Sequence, residues 1–225
     1  MGGILDVRAL APKDRHAGIF GAFKDLAPGD YFVLVNDHDP KPLLYQFQAE
    51  HDNEFEWWPL ERGTEVWRVI IAKREAKDTH RTVTDYLQTD HRRLDAIFER
   101  FSRAVKDGRW EEASKDFREF SLGLKRHIGV EEEILFPVFE EKTGMKDSGP
   151  TFVMREEHKD IKALLDSILS GTDAKNPAAV AKGMSALTNT LGDHNMKEEQ
   201  ILYPESDHFL SDAERSDVIK RAQAA

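Results

Sequence analysis

The chain has 225 residues, 33% of them charged and 40% hydrophobic, with a formal net charge of −10 and no cysteine. The length allows one large or two small domains, and the negative charge argues against nucleic acid or an anionic membrane as the main partner. No apolar run is long enough to cross a bilayer and no signal-peptide pattern is present, so we expect a cytoplasmic protein. Without thiolates, any metal must be bound by nitrogen and oxygen.

Residues 1–75 alternate short β-rich runs with short helical ones in the order βαβαββ. This order predicts a small α+β domain with helices packed on a sheet. Two histidines of this region, His16 and His38, fit either capping and surface hydrogen bonds or a second ligand site. The stretch REAKDTHRT that follows reads as a polar linker.

Residues 76–225 show helical periodicity almost throughout and predict an all-α antiparallel four-helix bundle. Cap and stop signals, such as Thr82 with Asp85 and then Gly108, delimit the helices. The predicted spans are 82–107, 110–142, 151–170 and 176–204, followed by a short helix that begins at Ser211.

The segment HIGVEEEILFP at residues 127–137 has a near twin, HNMKEEQILYP, at residues 194–204. In each twin a histidine and the first glutamate are four positions apart, about 40° around a helix, so they share the core-facing stripe. The second glutamate, Glu132 or Glu199, is five positions on and about 140° away, which predicts that it faces outward. The two predicted stripes consist of Phe120, Leu124, His127, Glu131, Ile134 and Val138, and of Leu187, Leu191, His194, Glu198, Ile201 and Leu202.

The repeat extends upstream, because His91 and His158 each lie 36 residues before the histidine of a twin. Residues 91–137 and 158–204 are thus two copies of one helical hairpin. Three acids directly precede histidines of the set. For most of them we expect solvent exposure, with the alternative that one lines an entry path; they are Asp90, Glu157 and Asp193.

A single histidine on an apolar helix face is usually a core residue with a hydrogen bond. Six inward polar groups at one level are different, because unpaired buried carboxylates cost several kcal/mol each. A buried glutamate–histidine network would satisfy some of them but would not account for the exact repetition. The pattern therefore predicts a binuclear metal site with the ligands His91, His127, Glu131, His158, His194 and Glu198.

Imidazole and carboxylate donors without thiolate suit iron, manganese or zinc, and a carboxylate-bridged pair inside a bundle favours two non-haem iron ions. A bridging oxo or hydroxo group would leave each ion one position for oxygen, nitric oxide or peroxide. Two functions are compatible with this set. One is redox chemistry on a small molecule, fed by an electron donor. The other is a sensor or binding module that signals to a protein partner through the N-terminal domain.

The ligand pattern H…HxxxE…H…HxxxE over residues 80–206 resembles the hemerythrin-like HHE domains, and all six positions match. Oxygen-carrying members have a fifth histidine where this chain has Lys162, and an aspartate one position after Glu198. These departures make the chain more similar to the repair-of-iron-centres proteins, which implies a di-iron centre and a link to nitrosative and oxidative stress. We expect no reversible oxygen carriage.

The N-terminal region resembles a bacterial domain of unknown function that is often fused to hemerythrin-like domains and is similar in fold to the TusA/SirA sulfur carriers. The segments that carry this resemblance are LDVRALAPKDRH, LVNDHDPKPLLYQF and EVWRVIIAK. Such carriers use a Cys-Pro pair at the start of the first helix. Here the pair is Ala11-Pro12, so persulfide chemistry is excluded at that point.

Overall fold

The computed structural model describes residues 3–74 and 81–225. The chain forms two compact units, one that ends at Arg81 and one that begins at Thr82. The predicted boundary at residues 75/76, and most of the predicted linker, lie outside the described residues.

The N-terminal unit is a four-stranded sheet with two helices, in the predicted order βαβαββ. Strand order across the sheet is β1-β2-β4-β3, with β1 parallel to β2 and the other neighbours antiparallel. Apolar residues of both helices pack on the sheet around Phe23, Leu34 and Phe47. The elements are β1 (Gly3–Asp6), α1 (Pro12–Asp25), β2 (Tyr31–Asn36), α2 (Lys41–Glu50), β3 (Phe55–Arg62) and β4 (Trp67–Lys73).

The second unit is helical, so the predicted fold class of an α+β unit followed by a hemerythrin-like helical bundle is confirmed. Two of the four long helices are interrupted by a π-helical turn, Glu131–Leu135 in one and Glu198–Leu202 in the other. We call these the first and second π-turns. The α-helices are α3 (Val83–Lys106), α4 (Trp110–Val130), α5 (Phe136–Thr143), α6 (Pro150–Asp173), α7 (Pro177–Lys197), α8 (Tyr203–Phe209) and α9 (Asp212–Ala224).

Helix starts follow the sequence signals. The Thr82 side chain accepts a hydrogen bond from the Asp85 amide at 2.9 Å, as the capping pattern predicts. Asp207, from α8, also accepts hydrogen bonds from the amides of Val83 and Thr84 at 2.8 and 3.0 Å. The first free N–H groups of α3 are therefore satisfied both locally and by a distant helix.

Each π-turn begins at a glutamate of the predicted ligand set. The amides of Phe136 and Tyr203 donate to the carbonyls of Glu131 and Glu198, five residues back instead of four. Each π-turn therefore contains one more residue than a regular helical turn. Every residue beyond it lies about 100° around the helix axis from the place that a regular helix would give it. The fourth long helix, formed by α7, the second π-turn and α8, extends to Phe209, beyond its predicted end at residue 204.

The bundle core lies between α3, α4, α6 and α7, with fully buried side chains such as Phe101, Phe117 and Leu165. Helix α3 packs along α4, and α6 packs along α7, as expected for two hairpins. In the part of the chain that the structure describes, no helix combines the length and the apolar character needed to cross a membrane.

Close packing of α6 on α7 predicts opposite effects for two glycines of α7. A Cβ at Gly183 would lie 2.6 Å from Ile168 Cγ1, whereas a Cβ at Gly192 would meet nothing within 4 Å. We expect Gly192→Ala to stabilise the protein by about 1 kcal/mol through helix propensity. Gly183→Ala should destabilise it by roughly 1–2 kcal/mol, because overpacking outweighs that gain. Chemical denaturation measures both; equal stabilisation by the two variants would contradict the tight helix contact.

Candidate metal centre

The six predicted ligand residues converge inside the bundle, and all of them are buried. The Nε2 atoms of His91 and His127 are 3.0 Å apart, and those of His158 and His194 are 3.1 Å apart. Each pair comes from one hairpin, so the repeated hairpins supply matching halves of one cluster.

The donor atoms divide into two groups that overlap at Glu198. The first group has four residues with donor atoms within 4.8 Å of one another, Glu131, His158, His194 and Glu198. The second has three, His91, His127 and Glu198. We call them the four-donor and the three-donor position. Glu198 reaches both, with Oε1 2.9 Å from His194 Nε2 and Oε2 3.5 Å from His91 Nε2.

Each histidine turns Nε2 toward the centre and donates from Nδ1 to a carboxylate. This arrangement fixes the tautomer and the ring orientation and is typical of metal-ligating histidines. The four pairs, with their distances, are His91–Glu199 (2.7 Å), His127–Asp90 (3.1 Å), His158–Glu132 (2.9 Å) and His194–Glu157 (2.8 Å).

Glu132 and Glu199 were predicted to face outward, away from the site, and this prediction is wrong. Both are half-buried and accept the Nδ1 hydrogen bond of a histidine from the other hairpin. Each of these glutamates does point away from the histidine of its own twin, as the 140° separation predicts. It points toward a neighbouring helix, however, and not into solvent.

The acids that precede histidines differ from one another. Asp193 is exposed, as expected for most of the three. Asp90 is instead buried beside Arg93 and Arg126, at 2.7 and 3.7 Å. Burial raises the pKa of Asp90, but Arg93, His127 and Arg126 outweigh it and keep the pKa below its usual range. Glu157 is half-buried and pairs with Lys197 as well as His194.

Lys162, at the place of the fifth histidine of the oxygen carriers, forms an ion pair with Glu132 at 3.2 Å. It therefore supports the carboxylate that orients His158.

In the N-terminal unit, His16 contacts Gln46 Oε1 at 3.0 Å and His38 contacts Asp37 at 2.6 Å. Among the residues that the structure describes, neither histidine belongs to a cluster of three or more metal-type side chains.

Protonation of the centre is coupled to its carboxylates. Burial lowers the pKa of both His91 and His194, but Glu198 above all outweighs it and raises each pKa to about 9. An imidazole must lose this proton before its Nε2 can bind a metal. Metal binding at the cluster therefore releases protons.

The glutamate oxygens show that the residues fit a metal. Glu131 Oε2 and both oxygens of Glu198 are buried without a hydrogen-bond partner of good geometry. Such orphaned carboxylate oxygens are costly, and here they lie among imidazole nitrogens, the other donor type that a metal of intermediate hardness prefers. A pair of bound cations would satisfy all of them.

Sequence reasoning missed Tyr203, whose hydroxyl donates to Glu131 Oε1 at 2.7 Å. In a regular helix Tyr203 would lie about 140° from Glu198, but the second π-turn reduces this to about 40°. Burial, Glu131 and Glu198 raise the pKa of Tyr203 well above its ordinary value. Ile201 is exposed, so its predicted place on the core stripe is wrong, whereas Ile134, at the equivalent position of the first twin, is buried as predicted.

Comparison with known families agrees with this geometry. The model of the hemerythrin HHE cation binding domain matches residues 82–206, more than half of the chain. The chain therefore belongs to the hemerythrin HHE cation-binding family. A second model, an uncharacterized conserved domain known as DUF2249, matches residues 4–73. The resemblances to the hemerythrin-like domains and to a bacterial domain of unknown function are thus confirmed, while the likeness in fold to the TusA/SirA carriers stays a prediction.

Individual relatives carry a more specific name. The chain is similar to iron-sulfur cluster repair protein YtfE from Edwardsiella ictaluri, Enterobacter sp. and Escherichia coli O157:H7, at 38%, 35% and 33% identity over 89 residues. Each match covers 36% of this chain and 40% of the relative, so it spans less than half the length of these relatives. No solved structure matches the chain.

The hydrogen bonds to Nδ1 predict a role for the second glutamate of each twin. We expect Glu132→Ala to lower metal affinity roughly 10- to 100-fold, because His158 loses the group that fixes its tautomer. Glu133→Ala is the matched control, since Glu133 is the exposed neighbour. Metal competition titrations with a chelator measure both. Equal affinities in the two variants would show that the hydrogen bond does not support the site.

Proposed function

We propose that the buried cluster holds two non-haem iron ions and that the protein acts in the cytoplasm on a small ligand in the repair or protection of iron–sulfur centres. The small ligand is nitric oxide, oxygen or peroxide. One observation carries the metal assignment: two fully buried glutamates present oxygens without hydrogen-bond partners to four imidazole nitrogens. The relatives' name, iron-sulfur cluster repair protein, supports the role.

The donor set favours iron. Imidazole and carboxylate without thiolate suit metals of intermediate hardness, and among these iron has two adjacent oxidation states. Bound iron supplies those states and a Lewis-acidic position to the small ligand. A bridging oxo or hydroxo group between the ions is part of the proposal, because seven protein donors do not fill two coordination spheres.

The protein residues hold and shield this centre. Four histidines bind through Nε2 while their Nδ1 atoms are anchored, and Glu198 joins the two positions. Buried apolar side chains, among them Leu94, Leu124 and Ile161, belong to the core of the same bundle and exclude water. In such an environment the electrostatic effect of each donor is stronger than in water.

Metal loading should stabilise the bundle. Iron at 100 to 1,000 times its dissociation constant would add about 3–4 kcal/mol to the free energy of unfolding, or roughly 6–15 °C in Tm. Metal analysis should find about two irons per chain. Thermal melts with and without a chelator measure the stabilisation, and an unchanged midpoint would argue against a metal-dependent centre.

Removal of the shared carboxylate tests the same proposal from the protein side. Glu198→Ala should lose most of both ions, because Glu198 belongs to both positions. Glu205→Ala is the matched control: Glu205 is an exposed residue of α8, and the variant should keep both ions. Full metal content in Glu198→Ala would refute its assignment as a shared ligand.

The repair role requires a functional assay. A [4Fe–4S] dehydratase damaged by nitric oxide should regain activity several-fold faster with the iron-loaded protein and a reductant than with Glu198→Ala. Turnover of nitric oxide or peroxide under the same conditions would identify the small ligand. Stoichiometric capture of nitric oxide without reactivation would instead indicate a sensor or binding module that signals to a partner protein.

A further inference from the structure

The two halves of the centre differ at one equivalent position. Five residues after the ligand glutamate, the first twin has Phe136 and the second has Tyr203, and both are fully buried. Phe136 stacks on His158, with ring centroids 5.9 Å apart and planes at 6°. Tyr203 instead brings a hydroxyl into the centre. The π-turns thus place an aromatic ring beside each half, but only one ring has a hydrogen-bonding group.

The hydroxyl of Tyr203 lies beside the three-donor position. Its oxygen is 3.3 Å from His127 Nε2 and 3.5 Å from His91 Nε2. It also donates to Glu131 Oε1 at 2.7 Å. These three neighbours surround the same side of the cluster, so the hydroxyl faces the place where the His91–His127 pair would hold a metal.

The hydrogen bond also decides where Glu131 points. Because Oε1 accepts from Tyr203, the free oxygen, Oε2, is the one near His158 Nε2, at 3.3 Å. The distance from Oε2 to His127 Nε2 is longer, at 3.8 Å. Glu131 therefore serves the four-donor position, and the three-donor position has only Glu198 as its carboxylate.

We propose that Tyr203 makes the two metal positions unequal, so that the small ligand binds at the three-donor position beside the Tyr203 hydroxyl. This inference rests on the proposed pair of ions in the cluster. Metal sites that react keep a coordination position open, whereas closed sites are structural. By holding Glu131, Tyr203 keeps the His91–His127 side open, and its hydroxyl is a hydrogen-bond donor for whatever binds there. Phe136 offers neither effect on the other side.

Azide, a small anion that binds ferric iron, and Mössbauer spectroscopy of protein loaded with ⁵⁷Fe test this inference. The wild-type protein with two irons should show two distinct quadrupole doublets and bind one azide per iron pair. Tyr203→Phe should keep both irons but bind azide at least tenfold more weakly, with doublets that draw together. The loss is expected because Glu131 is then free to close the open position and the donor is gone.

Two further variants separate this role from general damage to the fold. Tyr45→Phe removes a hydroxyl from an exposed tyrosine on α2, in the N-terminal unit and outside both donor groups, and should leave both signals unchanged. Phe136→Tyr adds a hydroxyl on the opposite side without removing any group, and it should also bring the two doublets closer together.

The outcomes distinguish the two proposals. A wild-type protein that binds two irons but gives a single doublet, or a Tyr203→Phe variant with unchanged azide affinity, would overturn the role of Tyr203 and leave the di-iron proposal intact. Failure of the wild-type protein to bind two irons would overturn both.

Discussion

The bundle depends on the burial of two carboxylates, Glu131 and Glu198, among four imidazoles. An ionised carboxylate in an apolar core is unfavourable by several kcal/mol unless charged or hydrogen-bonding partners surround it. The structure meets this constraint in successive shells. Imidazoles surround the carboxylates, a second ring of carboxylates accepts hydrogen bonds from the imidazoles, and cations such as Arg93 and Lys197 lie beside that ring. The position of each helix is restricted by this alternation of charge.

Duplication explains how one chain supplies so many matched groups. Each hairpin contributes two histidines and a glutamate, and each also contributes the acids that orient histidines of its own or of the other hairpin. The two copies differ in the groups that support their acids. Asp90 is buried with two arginines, while its counterpart Glu157 is half-buried with a lysine. Duplication thus supplies the donors, and divergence makes the two sides different.

Much of the fold and the cluster could be predicted because hydrophobic period and motif spacing are local signals. The βαβαββ order, the four long helices and the convergence of six residues such as His91 and Glu198 all follow from them. The wrong predictions have two physical origins. A π-turn is not signalled by the hydrophobic period, and it changes the phase of every later residue, so Tyr203 was overlooked. The partners of Glu132 and Glu199 depend on packing between helices, which no periodicity within one helix reveals.

The second π-turn also has a mechanical consequence for the start of α3. Asp207, which caps that helix through the amides of Val83 and Thr84, lies four residues beyond Tyr203 on α8. Its direction is therefore set by the same extra residue that turns Tyr203 toward Glu131. The start of α3, the helix that carries His91, is thus capped by Asp207, whose orientation depends on the second π-turn. Deletion of one residue from the second π-turn would therefore turn Tyr203 away from Glu131 and, at the same time, remove the Asp207 cap from the start of α3.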